Sequence, residues 1–456
     1  MSITKRPNIL LISMDSLRRD HLSCYGYERQ TSPFIDKVSS EGTIYWDAIA
    51  PAGWTLPSHA SLLTGMYPSK HGADDENQFL DKKHKTLAEV LTELSYDTVG
   101  FSLFPYVSSS VGLSRGFETF YELFRLGFLN NLLSRFERRI IHRDSGTRQI
   151  IRTFKLWLRK RYDFRKPFFA FVHLGEAHLP YWAPPPYRFM YLNGKGKNLE
   201  NIFDINKHHD KFFGRNVKLD SEDIEVLRSL YDGEITYLDS KVKEIFAILR
   251  ESEKIDNTII ILTADHGDNF GEHGLIAHRF NLYDSLIRIP LIIRFPVVFG
   301  SGNRIEKLAQ LTDIFPTLLD ILGIKDEQWW REIQGLSLLS TDSRKYTISE
   351  QSRPNFAALL EKYPGFDPSP FDKRLRTIRT KEHKFIWNSD YKHELYDLRL
   401  DPAETNNVIS QDPQKAGELE SLLNEWLNSF QKTGQRDYKI DDEKTVRKRL
   451  EELGYL

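Results

Sequence analysis

Four short runs constrain this chain more than any other feature. Ile9–Ser13, Phe168–Val172, Thr258–Thr263 and Pro290–Arg294 are apolar almost continuously rather than at alternate positions. A strand that is apolar on both faces has to be covered on both, which is the setting of a central strand in a parallel sheet between helical layers. The stretches between these runs carry helical periodicity, as at Thr86–Leu94 and Glu222–Leu249. The alternation predicts an α/β fold: a doubly wound, mostly parallel central sheet flanked by helices. Ligands of such sheets sit beyond the carboxyl ends of the strands. The residues that follow the runs are therefore the first place to look for chemistry.

Two runs end in acids. Asp15 follows Ile9–Met14, and Asp265-His266-Gly267 follows Thr258–Ala264. One acid after a strand is commonly a turn or capping residue. Two of them, one beside a histidine, favour a metal site. Mixed oxygen and nitrogen donors suit Zn²⁺ or Mn²⁺ better than Ca²⁺, which prefers oxygen alone. The lone cysteine, Cys24, excludes an intrachain disulfide framework and a cysteine-built zinc site. It accords with a reducing compartment, where it packs as a small buried side chain. With 63 Lys+Arg against 64 Asp+Glu, the chain is near neutral and is no nucleic-acid coat protein.

After residue 340 short alternating segments take over, at Tyr346–Ser349, Leu375–Thr380, His383–Trp387 and Glu394–Asp397, followed by a helical stretch at Pro413–Phe430. The expected organisation is a catalytic α/β domain over 1–340, a small C-terminal antiparallel-sheet subdomain with a helix over 341–432, and a charged tail over 433–456. No stretch approaches the ~20 apolar residues needed to span a bilayer. Lys5 and Arg6 precede a run that stops at Asp15, too short for a secretory signal. The expected location is cytoplasmic. Residues 125–166 hold thirteen Lys/Arg and three Asp/Glu, and Ile150, Ile151, Phe154, Trp157 and Leu158 share one helical face there. That helix either packs its apolar face on the sheet or makes peripheral contact with an anionic membrane.

The segment Gly53-Trp54-Thr55-Leu56-Pro57-Ser58-His59, continuing to Thr64-Gly65, resembles the sulfatase signature C/S-x-P-S-R with its downstream T-G. Asn8–Asp15 looks like that family's first strand and metal acid, and Asp20–Tyr27 like its D-H-L-S-C-Y-G-Y run. Thr263–Gly274 resembles its D-H-G-(x)-G-E-H-G loop, and Leu375–Asn407 its C-terminal subdomain. The resemblance covers nearly the whole chain. It implies the alkaline phosphatase superfamily, an ester-cleaving enzyme, and a divalent metal held by Asp15, Thr55, Asp265 and His266.

The chain also departs from the family. Sulfatases oxidise the signature Cys or Ser to formylglycine; Thr55 stands there, and its extra methyl blocks an aldehyde. His59 replaces the signature arginine, Ser102-Leu103-Phe104-Pro105 replaces a G-K-x-H element, and Asp15-Ser16 replaces an acid pair. A threonine oxygen on a metal suits a phosphoenzyme. Superfamily members with threonine at this position are phosphodiesterase-like hydrolases and phosphoethanolamine transferases. His173-Leu174-Gly175-Glu176-Ala177-His178 resembles the transferases' histidine element, and His278 lies twelve residues after His266, a position similar to one that holds histidine in transferases and lysine in phosphonate monoester hydrolases.

The resemblance thus implies Thr55, His178 and His278 as catalytic residues, with a possible second metal at His178/His278. Asn77, His59 and Arg279 are the expected substrate contacts. The proline-rich Tyr181–Tyr187 either stacks on a sugar or forms a rigid turn. The expected substrate is an anionic ester (a phospho- or sulfo-glycan, a lipid head group or a small molecule), with no nucleic-acid partner. The leading reaction is cleavage or transfer of a phosphate mono- or diester through Thr55. The alternatives are sulfate-ester hydrolysis without formylglycine, and an inactive anion- or glycan-binding module.

Overall fold

The computed structural model describes residues 6–124, 144–160, 166–194 and 218–429, and between them 200, 204, 206 and 210–214. The expected charged tail lies outside the described residues. The strands are β1 Asn8–Met14, β2 Thr43–Ile49, β3 Asp97–Ser102, β4 Thr119–Glu122, β5 Phe168–Leu174, β6 Thr258–Thr263, β7 Asn269–Phe270, β8 Ile276–Ala277, β9 Arg288–Arg294, β10 Asn303–Gln310, β11 Thr347–Gln351, β12 Leu375–Arg379, β13 His383–Asn388 and β14 Glu394–Asp397. The helices that matter here are α1 Pro33–Glu41, α2 Thr55–Thr64, α3 Leu87–Glu93, α4 Thr147–Lys160, α5 Ser221–Glu251, α6 Ile314–Ile321 and α7 Pro413–Asn428.

Eight strands form the central sheet in the order β10-β2-β9-β6-β1-β5-β3-β4. Every residue of β1, β5 and β6 is buried, as runs apolar on both faces require. β1 lies between β5 and β6 and runs parallel to both, with Ser13 opposite His173 on one side and Thr263 on the other. One expectation fails. The strand containing Pro290–Arg294 is antiparallel to both neighbours, β2 and β6. Burial on both faces follows from position in the sheet, and an apolar run carries no information about strand direction.

Helix starts are chemically marked. Thr86 and Glu89 form a reciprocal capping box at the start of α3, and Asp220 and Asp223 another at α5. α2 ends on Gly65 at φ 69°, a left-handed position that suits glycine. α4 turns Ile150, Ile151, Phe154, Trp157 and Leu158 into the core. Its apolar face is thus used in packing on the sheet, not left for a membrane.

A second sheet, β11-β12-β13-β14, is antiparallel throughout. α7 covers it with Ala416, Leu419, Leu423 and Trp426 on Ile348, Ile378, Phe385 and Leu395. Tyr67 joins this cluster edge-on to Trp426, at 4.9 Å between ring centroids. Lys384, wholly buried, bonds Asp284 at 3.0 Å and Glu404 at 2.7 Å, fastening the second sheet to the segment that leads out of the 266–278 loop. Among the described residues no helix is long and apolar enough to cross a membrane.

Candidate active site

The parallel core brings three strand ends together. Asp15 leaves β1, His173 sits near the end of β5, and Asp265-His266 follow β6. α2 delivers Thr55 as its first residue, 6% exposed. The first turn of a helix leaves backbone N–H groups without intrahelical acceptors, and its dipole favours negative charge there. Pro57, within that turn, sacrifices no helical bond.

One oxygen or nitrogen from each of Asp15, Asp265 and His266 lies within 4.8 Å of the others. The Nδ1 of His266 donates to the Gly267 carbonyl at 2.8 Å, which fixes the tautomer and turns Nε2 inward. That Nε2 is 3.3 Å from Thr55 Oγ1, 3.3 Å from Asp265 Oδ2 and 3.8 Å from Asp15 Oδ1. Asp265 Oδ1 accepts from the backbone N–H of His266 at 2.9 Å and of Ser16 at 3.2 Å. Its Oδ2, equally buried, has no hydrogen-bond partner. An orphaned buried carboxylate oxygen is costly unless a cation completes it. Two carboxylates, an imidazole nitrogen and a hydroxyl converging here fit a divalent ion.

Charge in the cluster follows the same geometry. Burial alone would raise the Asp15 pKa, but His178, His173 and His266 hold it well below the carboxylate range. Burial opposes charge on His266 as well, and Asp265 and Asp15 overcome it and raise its pKa. His278 behaves oppositely: burial, with His266 and His178 beside it, lowers its pKa well below the usual value, so it is a neutral imidazole.

A layer beneath the cluster orients it. His173, wholly buried, donates from Nε2 to Asp15 Oδ2 at 3.0 Å and meets Ser102 Oγ through Nδ1 at 3.4 Å. Ser16 adopts φ 58°, a left-handed conformation rare for serine, and gives its hydroxyl to Asp15 Oδ1 at 2.8 Å. Tyr231 holds that strained turn by donating to the Ser16 carbonyl at 2.8 Å. Arg18 clamps the next loop: it donates to Glu272 at 2.8 Å and to the Asp268 carbonyl at 2.9 Å, and forks onto Asp20. Neither Ser16 nor Arg18 was singled out as a functional residue from the sequence.

The expected site residues fare differently. The rings of His266, His278 and His178 follow one another in a row, tilted to each other, with centroids 4.6 Å apart for the first pair and 4.8 Å for the second. His178 and His278 lie half-buried on its open side. Ala177 and Ala277, each preceding one of these histidines, both adopt positive φ. His59 is a correction. It is 0% exposed, its Nδ1 donates to the Thr55 carbonyl at 2.9 Å and its Nε2 meets Ser13 Oγ at 2.9 Å. Burial lowers its pKa to about 4 in spite of Asp265 nearby. It braces Thr55 from behind as a neutral ring and offers substrate neither surface nor charge.

Asn77 closes its own loop, donating from Nδ2 to the Gly72 carbonyl at 2.7 Å and the Phe79 carbonyl at 3.3 Å. Arg279 is exposed near Asp75, whose carboxyl burial and Asp74 push up to about 7. Trp54, next to Thr55, meets Tyr106 edge-on at 5.4 Å. The expected second ion at His178/His278 has no such tight cluster behind it among the described residues. Among the described residues the groups that converge tightly enough are Asp15/Asp265/His266 and His59/His173/Asp265. Neither includes His178 or His278. The second group already engages its imidazole nitrogens in hydrogen bonds.

Residues 7–324 match the family model described as Sulfatase, and 271–433 match N-sulphoglucosamine sulphohydrolase, C-terminal. The chain belongs to the sulfatase family. A curated relative, arylsulfatase K of Mus musculus, is 24% identical over 94% of this chain and 80% of its own length. The N-acetylglucosamine-6-O-sulfatase of Bacteroides thetaiotaomicron is also 24% identical, over 97% of this chain and 89% of its own. Among solved structures, the phosphonate monoester hydrolase of Agrobacterium radiobacter superposes with a TM-score of 0.74 at 24% identity, covering 93% of this chain and 96% of the other. A protein solved with its substrate D-glucosamine-2-N,6-O-disulfate gives 0.73 at 22% identity, covering 93% and 98%. These structural likenesses fix the fold, a sulfatase-like α/β sandwich with a small C-terminal antiparallel sheet. As a sulfatase-family protein the chain is a hydrolase acting on ester bonds, and the family's divalent metal has a fitting set of donors here.

Proposed function

We propose that this sulfatase-family hydrolase cleaves a phosphate mono- or diester by transfer to Thr55. In this reading Asp15, Thr55, Asp265 and His266 hold one divalent ion, zinc or manganese. The observation that carries the reading is the Thr55 hydroxyl: it heads α2, braced by His59, with Oγ1 3.3 Å from the fixed Nε2 of His266. A divalent cation bound among these groups lowers the pKa of the hydroxyl and offsets charge on the transferring group.

This chain's own residues supply the rest. Thr55 Oγ1 forms the bond to phosphorus as the ester oxygen leaves, and water or an alcohol then attacks the phosphothreonine. His278, kept neutral, takes the proton of Thr55 Oγ1 and returns it when the phosphothreonine is cleaved, while His178, its ring centroid 4.8 Å away, gives a proton to the departing oxygen and regains one from the incoming water or alcohol. The first turn of α2 presents N–H groups to the anion.

Sulfate-ester hydrolysis is the second reading, favoured by the names of the curated relatives. Against it stand Thr55, which cannot become formylglycine, the neutral buried His59, and Leu103 and Pro105 where cations are expected. Turnover of aryl phosphodiesters, phosphomonoesters and sulfates by one zinc- or manganese-loaded sample tests the choice. Faster phosphoester cleavage supports the proposal, and faster sulfate release refutes it. Turnover of none, with no metal retained, would leave the inactive-module reading.

A further inference from the structure

His278 sits on a segment whose backbone is held in costly conformations on both sides of it. Ala277 and Phe280 adopt φ 61° and 68°, left-handed values unfavourable for any residue with a side chain. They persist only where the surroundings enforce them. The Phe280 ring is packed among Phe213, Phe371 and Phe356, with centroids 5.1, 4.7 and 5.5 Å away. Asn281 donates from Nδ2 to the Arg279 carbonyl at 3.0 Å and accepts from the Tyr283 N–H at 3.1 Å. On the other side, Asn269 of β7 lies opposite Ala277 of β8 and donates from Nδ2 to its carbonyl at 2.5 Å.

This last bond acts on His278 directly. The Ala277 carbonyl shares a rigid peptide plane with the His278 nitrogen, so fixing one fixes the origin of the His278 side chain. Asn269 is buried, and Ser285 donates its hydroxyl to Asn269 Oδ1 at 2.7 Å, which holds the amide with its nitrogen toward the carbonyl. The imidazole is not held by its own Nδ1, which is buried, makes no hydrogen bond and stands 3.7 Å from Asp268 Oδ1. The same loop also touches the chain that leads to Thr55. A Cβ on Gly53 would stand 3.2 Å from the Asn281 carbonyl oxygen and 3.3 Å from Leu286 Cδ1. The segment that carries His278 and the backbone that delivers Thr55 thus meet across one close-packed seam.

We propose that Asn269 is a positioning residue for His278. By holding the Ala277–His278 peptide in the left-handed turn, it keeps the imidazole in the row beside His266 and in register with Thr55. The inference rests on the proton-carrying role proposed for His278, and it assigns Asn269 no contact with substrate or metal. Without the amide, Ala277 relaxes toward ordinary φ values and carries His278 with it. A misplacement of about 1 Å in a catalytic group costs on the order of a hundredfold in rate.

The test is a double-mutant cycle on the zinc- or manganese-loaded full chain, with whichever of an aryl phosphodiester, phosphomonoester or sulfate the native protein turns over. Asn269→Ala should lower kcat by about 10–100-fold, with KM within about threefold and metal content unchanged. In the His278→Ala background the same substitution should change kcat by less than about twofold, because the group it positions is gone. Ser285→Ala, which only frees the amide to turn, should act in the same direction by a smaller factor, and it carries the test if Asn269→Ala does not fold. Ring-nitrogen NMR signals of histidine-labelled protein, assigned with His278→Ala, read placement without turnover: the His278 signal should shift or broaden in both variants. An unchanged kcat in both variants overturns the proposal, as does an unchanged His278 signal. So does an equal fall in both backgrounds, the mark of a general structural loss. An unaltered kcat in His278→Ala would instead refute the proton role of His278, and the inference with it.

Discussion

Replacing His173 by leucine tests how far the layer beneath the metal cluster sets its properties. The imidazole donates to Asp15 Oδ2 at 3.0 Å with both side chains out of water. Leucine is close in volume, so packing against Phe104 and His59 is kept roughly intact while the donor is removed. A hydrogen bond to a charged group contributes about 1.5–3 kcal/mol, and its loss leaves a buried carboxylate oxygen unsatisfied. Asp15 should then take up a proton more readily and turn more freely. The expected loss is about 10–100-fold in zinc or manganese affinity, as for other partners that orient metal ligands. Competition against a chromophoric chelator measures it directly, and near-ultraviolet circular dichroism verifies the fold. Affinity within about twofold of the native protein would refute the argument, because a hydrogen bond of this strength cannot be removed so cheaply.

Asp15→Asn and Asp265→Asn should each abolish most metal binding and turnover with the fold retained; full metal occupancy in both, by elemental analysis, would remove the site. His278→Ala should lower turnover by about 10²–10⁴, the range for a lost acid–base group, with a smaller change in KM. An unchanged turnover number would make His278 structural. Stability should fall with acid through His71, which is buried, bonded to Ser61 Oγ at 2.9 Å and depressed to about 3 by burial. The unfolded chain binds a proton there below about pH 6.5 while the folded chain stays neutral, so near pH 5 the loss is about 2 kcal/mol. Urea unfolding at pH 7 and pH 5 measures it, and His71→Gln should remove that share of the pH slope; an equal slope in the variant would contradict the assignment.

Sequence revealed most where a pattern is local. Runs apolar on both faces marked β1, β5 and β6, and their terminal acids Asp15 and Asp265 do converge with Thr55 and His266. The direction of β9 was hidden, because burial is the same for a central strand running either way. His59 was misread for a related reason. Its position within the helical signature suggested a substrate contact, whereas the i to i−4 geometry of α2 turns Nδ1 onto the Thr55 carbonyl and the rest of the ring into the core. Ser16 and Arg18 escaped notice because their roles depend on Asp265, Tyr231 and Glu272, all more than two hundred residues away in sequence. The basic amphipathic pattern of α4 was legible, yet only the packing decides that its apolar face belongs to the core.

The central claim is that Thr55 carries the transferred group. A phosphodiester should be mixed with the metal-loaded enzyme, quenched in acid within a single turnover, digested and examined by mass spectrometry. The account predicts a phosphorylated peptide spanning Gly53–Met66 with the modification on Thr55, its loss in Thr55→Ala, and partial activity in Thr55→Ser because the hydroxyl survives. An unmodified Thr55 in a reacting sample, together with an active Thr55→Ala enzyme, would contradict it.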